Sequence, residues 1–137
     1  MRNAATFLVL TFVLGLNAVG QSAPATTWKI VQVVHLAQQS ANIPSTTIFT
    51  PTTSELYRLT VNIDCSPQRG NGGEWGYIVS WTQEGPAARG DCGESNSSGQ
   101  VIPFRGRVGT PVIYSATAGI PEPTFTYDLD IVIEQLK

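Results

Sequence analysis

With 137 residues, 42% of them apolar and only 13% charged, the chain has the length for one globular core and a short additional segment. Eight basic against ten acidic residues give a formal charge of −2, without the basic stripe that neutralises phosphates, so a nucleic-acid partner is excluded. Two cysteines and one histidine are too few for a structural zinc site.

The first segment places Arg2 before an apolar run from Ala4 to Leu16 and closes on Ala18-Val19-Gly20. One positive charge, a short greasy stretch and an A-x-A-like site form the pattern of a secretory signal peptide. The expected organisation is a signal peptide over 1–20 and a single β-sandwich domain over 21–137. The apolar run is shorter than the ~20 residues of a bilayer-spanning helix. Cleavage after Gly20 leaves an exported chain, secreted to an extracellular or periplasmic space and not attached to a membrane. Its cysteines are then free to pair. Losing Arg2 leaves seven basic against ten acidic residues, a formal −3.

Beyond this segment, apolar residues recur at every second position and the helical period is nearly absent. Trp28 to Leu36 reads as a strand, with Trp28, Ile30, Val34 and Leu36 on one face and His35 on the other. Ser40 to Pro44 is a turn, and Thr46 to Phe49 a short strand. In Leu56 to Asp64, residues Tyr57, Leu59, Val61 and Ile63 share one face. Pro67 to Gly73 is a Gly-rich loop. Tyr77, Val79 and Trp81 alternate in the next strand, and Tyr57, Tyr77 and Trp81 are expected in the core. Gly85 to Gly99 reads as a long polar loop. Val101 to Phe104 and Val112 to Thr117 are strands, and the two prolines within Gly119 to Pro123 forbid regular pairing there. The last strand sets Phe125, Tyr127, Leu129, Ile131 and Ile133 against Thr126, Asp128, Asp130 and Glu134. Short strands punctuated by turns predict an all-β fold, an antiparallel two-sheet β-sandwich of jelly-roll type.

Cys65 ends a strand and Cys92 lies in the long loop. A disulfide between them would pin that loop to the sheet end, worth about 3–4 kcal/mol on the chain-entropy model. Two free thiols are the alternative.

The chemistry-bearing residues are sparse. His35 is the sole histidine, and no Gly-x-Ser-x-Gly elbow presents a serine nucleophile. Asp128 and Asp130 share a strand face, with Glu84 and Glu94 in or beside the long loop. Such a set supports a carboxylate-dependent hydrolase only as a third reading, and a calcium site at Asp128 and Asp130 is unspecific. No catalytic residue, cofactor or metal is assigned. Arg89-Gly90-Asp91, followed by Cys92, matches an integrin-recognition tripeptide and equally an ordinary polar turn. Asn96-Ser97-Ser98 is a glycosylation sequon, relevant only in a eukaryotic secretory pathway. Trp75, between Glu74 and Gly76, is expected to be exposed, where its ring would stack on a sugar. Loops on a rigid sandwich carry binding, so Trp75, Arg89 and Asp91 are the candidate binding residues.

Several local patterns carry a resemblance. Ile48-Phe49-Thr50-Pro51, a short spacer and Leu56-Tyr57-Arg58-Leu59-Thr60-Val61 look like an early strand of the tumour-necrosis-factor and complement-globular-head jelly rolls. Arg107-Val108-Gly109-Thr110-Pro111-Val112 is similar to a later strand start in that family, and the Phe125-Tyr127-Leu129 alternation resembles its closing strand. Glu55 stands where the family has Gly, and Thr110 where it has Asp. The resemblance covers roughly Thr46 to Leu136, and similar strands occur in small exported bacterial and phage proteins of unknown role. It implies a ten-stranded type of jelly roll, a homotrimer about an aromatic-lined axis, and no enzyme activity. The expectation is thus an exported, non-catalytic binding or structural module, trimeric by resemblance, with a protein or glycan partner. The alternative is a carbohydrate-binding module using Trp75.

Overall fold

The two segments with the cleanest alternation become the middle of one sheet. Strand β3 (Leu56–Ser66) buries Tyr57, Leu59, Val61, Ile63 and Cys65, and strand β8 (Thr126–Leu136) buries Tyr127, Leu129, Ile131 and Ile133. They pair antiparallel without a register break from Tyr57↔Gln135 to Ser66↔Thr126. A one-residue slip would turn every one of those side chains into water, which fixes the register. The computed structural model describes residues 25–66, 74–82, 85, 87–92, 97–120 and 125–137; the leader over 1–20 lies outside the described residues.

Around this pair, β1 (Trp28–Gln39) lies beside β8 and β6 (Ser97–Arg105) beside β3, giving the sheet order β1-β8-β3-β6. The second sheet has the order β2-β7-β4-β5, built from β2 (Ile43–Phe49), β4 (Glu74–Ser80), β5 (Ala87–Cys92) and β7 (Val112–Ile120). All pairs are antiparallel. The chain alternates between the sheets except at the β4–β5 hairpin, which is the jelly-roll order. Eight strands are present among the described residues.

The inner faces meet in one core. Leu59, Val61, Ile63, Leu129, Ile131 and Ile133 from the first sheet face Trp75, Tyr77, Val79, Val112, Tyr114 and Ala116 from the second. Trp81 and Phe104 stack at 5.0 Å between centroids, and Tyr57 lies 5.5 Å from both Phe49 and Phe104. Buried Gln135 is satisfied there, donating from Nε2 to Thr53 Oγ1 at 3.1 Å and to the Tyr57 hydroxyl at 3.3 Å, as a buried amide must be.

Two features depart from the sequence reading. In β1 the register shifts between Ile30 and Gln32, so Val31 is an extra residue. Such a bulge reverses which face the following residues take. Val34 and Leu36 turn inward opposite Ile131 and Leu129, while Trp28, Ile30, Val33 and His35 share the outer face. His35 therefore lies on the face of Trp28 and Ile30, not opposite them. The second departure lies in the supposed loop Gly85 to Gly99, where β5 occupies Ala87–Cys92 and β6 begins at Ser97.

Candidate interaction face

The outer face of the β1-β8-β3-β6 sheet can be read row by row from its pairing. Trp28, Leu136, Leu56 and Arg105 form the first row, and Ile30, Glu134, Arg58 and Pro103 the second. Val33, Val132, Thr60 and Val101 make the third, and His35, Asp130, Asn62 and Gly99 the fourth. Asp128 and Asp64 follow. A sheet face turned to water ordinarily carries polar side chains. Here Ile30 is 59% exposed, Val33 50% and Val101 62%. Of the exposed large apolar residues, Ile78 belongs to the other sheet and Val108 to a turn.

Arg58 and Glu134 neutralise one another on this face, while Asp64 and Asp128 lie side by side at one end of it. Arg58 bonds Glu134 through Nε at 2.7 Å and Nη2 at 2.6 Å, and its guanidinium lies 4.7 Å over the Trp28 ring. This contact holds the Glu134 carboxyl below its usual value. His35 Nδ1 meets Asp130 Oδ1 at 2.5 Å, and Asp128 accepts the backbone N–H of Gln38 at 2.6 Å. Gln38 has φ 54°, an unusual backbone for a residue with a side chain, and this charge-assisted bond ties it to β8.

The hydrogen bond with Asp130, and then the charges of Asp130 and Asp128, raise the His35 pKa above 6.5. Both partners are well exposed, so the effect on stability is small. Its sign is fixed: the contribution is full below pH about 6.5 and fades as pH rises through the higher folded value. NMR titration is expected to find His35 above an exposed histidine, and Asp130→Asn to return it toward the ordinary value.

The structure does not bring the three candidate binding residues together on one face. Trp75 is buried at 3% exposure, because it continues the inward series Trp75, Tyr77, Val79. Its ring packs 4.5 Å from Tyr127 and its Nε1 donates to the Phe125 carbonyl at 3.3 Å. The expected exposed stacking platform is therefore corrected: this indole is core. Arg89 and Asp91 are exposed, on the outer face of the β2-β7-β4-β5 sheet rather than on a loop. Gly90 between them points inward against Tyr77, so the tripeptide is an edge strand and not a presented turn. Cys65 and Cys92 meet at disulfide distance, with Cα atoms 5.8 Å apart. Cys65 belongs to β3 and Cys92 to β5, so the bridge joins the two sheets instead of pinning a loop.

No protein-family model matches the chain, and no curated protein matches it.

The carboxylates considered for hydrolysis divide in the same way. Asp128 and Asp130 are on the open outer face, engaged with Gln38 and His35. Glu84, Glu94 and the sequon residue Asn96 lie outside the described residues. Among the described residues, no group of three or more His, Cys, Asp or Glu side chains is placed to hold a metal ion.

The apolar outer face was missed in the sequence. Its signal was there in β8, where Val132 and Leu136 interrupt the polar series Thr126, Asp128, Asp130, Glu134. These residues depart from the apolar-in, polar-out alternation of a strand with one solvated face.

Proposed function

We propose that the chain is an exported, non-catalytic binding or structural module in which copies pack through the outer face of the β1-β8-β3-β6 sheet. The observation that carries this reading is that exposed Ile30, Val33 and Val101 all lie on that one face, with Val132 between Val33 and Val101 in the same row. Leu56, Val132 and Leu136 extend the patch. Patches of this kind mark interaction sites.

The electrostatics support a second copy as the occupant. The Arg58–Glu134 pair cancels charge within the apolar rows of each copy, and the adjacent acids Asp64 and Asp128 stand at the end of the face, outside those rows. Size supports it too. An 11-residue strand such as β8 spans ~36 Å, and four strands span ~19 Å. Their product, ~700 Å² per copy, is near the ~800 Å² per partner of a standard interface. The resemblance to the tumour-necrosis-factor-like jelly rolls supports three as the number of copies. The leader pattern and the inter-sheet cysteine pair support an oxidising extracellular or periplasmic location.

Light scattering over a concentration series tests the reading. The purified domain is expected to reach an assembly, with three copies as the limiting mass. Val33→Asp should weaken association at least about tenfold, since an unpaired carboxylate is then buried at each contact. Because Val33 is exposed in the single copy, the melting of that copy should change by only about 0.5 kcal/mol. A strict monomer at every concentration removes self-association.

A further inference from the structure

We infer that β5 is a redox-released strand: the Cys65–Cys92 bridge latches an edge strand that the core scarcely holds, and its reduction uncovers Trp75, Tyr77 and the free edge of β4. The inward positions of β5 are Ala88, Gly90 and Cys92. None of them supplies a large apolar side chain. The opposite edge of the same sheet is different, since β2 sends Ile43, Ile48 and Phe49 against the core.

Among the described residues, β5 is held apart from the bridge by its six-residue ladder to β4, by the packing of small Ala88, Gly90 and Cys92 toward β3 and β6, and by Gln100 Nε2, which donates to the Arg89 carbonyl at 2.7 Å. Strands with little buried apolar surface are the ones that open locally, well below the free energy of global unfolding. The bridge suppresses that opening, because it ties the end of β5 to β3 in the other sheet. Beside β5, on β4, stand two large inward-facing aromatics. Trp75 pairs with Cys92 and Tyr77 with Gly90, and they are 3% and 2% exposed. Once β5 leaves, both lose their cover on that side.

The chemistry requires a dithiol reductant. Its thiolate attacks one sulfur of the bridge and its second thiol resolves the mixed disulfide. The Cys65–Cys92 bond breaks, two electrons and two protons pass to the cysteines, and the reductant becomes a disulfide. Both cysteines are buried, at 3% and 0% exposure, so the reductant reaches them in the rare local fluctuations that the bridge leaves possible. Reduction comes first, and release of β5 follows from the loss of its tie to β3.

Hydrogen exchange read by mass spectrometry tests this on the full domain, with and without a dithiol, and on the Cys65→Ala/Cys92→Ala variant. Protection in Ala87–Cys92 should fall by about 100-fold or more, the scale of a bridge closing a loop of this length. Protection in β3 and β8 should persist, and the indole should become accessible to a soluble quencher. Unchanged protection in β5, in both the reduced protein and the variant, overturns the inference. So does simultaneous loss of protection in every strand, because β5 would then not be separable from the core.

Discussion

Trp75→Ala is expected to lower the stability of the domain by about 3–5 kcal/mol, the range for removing a buried tryptophan from a packed core. The indole is 3% exposed, lies 4.5 Å from the Tyr127 ring and donates to the Phe125 carbonyl. Its removal opens a cavity beside the Cys65–Cys92 bridge and leaves that carbonyl without its side-chain donor. Chemical denaturation followed by circular dichroism measures the loss. Trp75→Phe should recover a large part of it, since a ring still fills the space against Tyr127. A variant with unchanged stability and lost sugar binding would instead place the indole on the surface, as a stacking platform requires.

Gly90→Val is expected to cost about 2–3 kcal/mol, although the residue sits in the most polar stretch of the chain. A Cβ at position 90 would lie 2.7 Å from the Tyr77 hydroxyl and 2.8 Å from Tyr77 Cε1. Tyr77 is 2% exposed, so its ring has nowhere to move without disturbing the core. Overpacking of this kind destabilises by about 1–3 kcal/mol, and branching at Cβ adds crowding. Arg89→Ala and Asp91→Ala, on the outer face of the same strand, should change stability by no more than about 0.5 kcal/mol. A urea titration of the three variants separates the structural middle of the tripeptide from its solvated flanks. Equal effects at all three positions would contradict this assignment.

The sandwich itself was legible because β3 and β8 put large apolar groups at every second position, and few other structures satisfy that pattern. β5 escaped because its inward residues are Ala88, Gly90 and Cys92, small groups that give no apolar alternation. They are small because Trp75 and Tyr77 of the neighbouring strand fill the space opposite them. Trp75 was misplaced for a local reason, its neighbours Glu74 and Gly76. The series Tyr77, Val79, Trp81, extended two residues back, already includes it among the inward positions. The face of Trp28 and Ile30 was inverted relative to Val34 and Leu36 because one extra residue, Val31, flips the period. A bulge has no reliable mark in a single sequence. The apolar outer face depends on that inversion, since it puts Val33 on the same face as Ile30, Val132 and Val101.

The most direct test of the outer face as the working surface is thiol labelling of single added cysteines, with the Cys65–Cys92 bridge intact, across a concentration series. Val33→Cys and Val101→Cys stand on the β1-β8-β3-β6 sheet, and Ile78→Cys stands exposed on the opposite sheet. We expect the first two to lose reactivity as the concentration rises while Ile78→Cys keeps it. Equal reactivity of all three probes at every concentration would contradict the account.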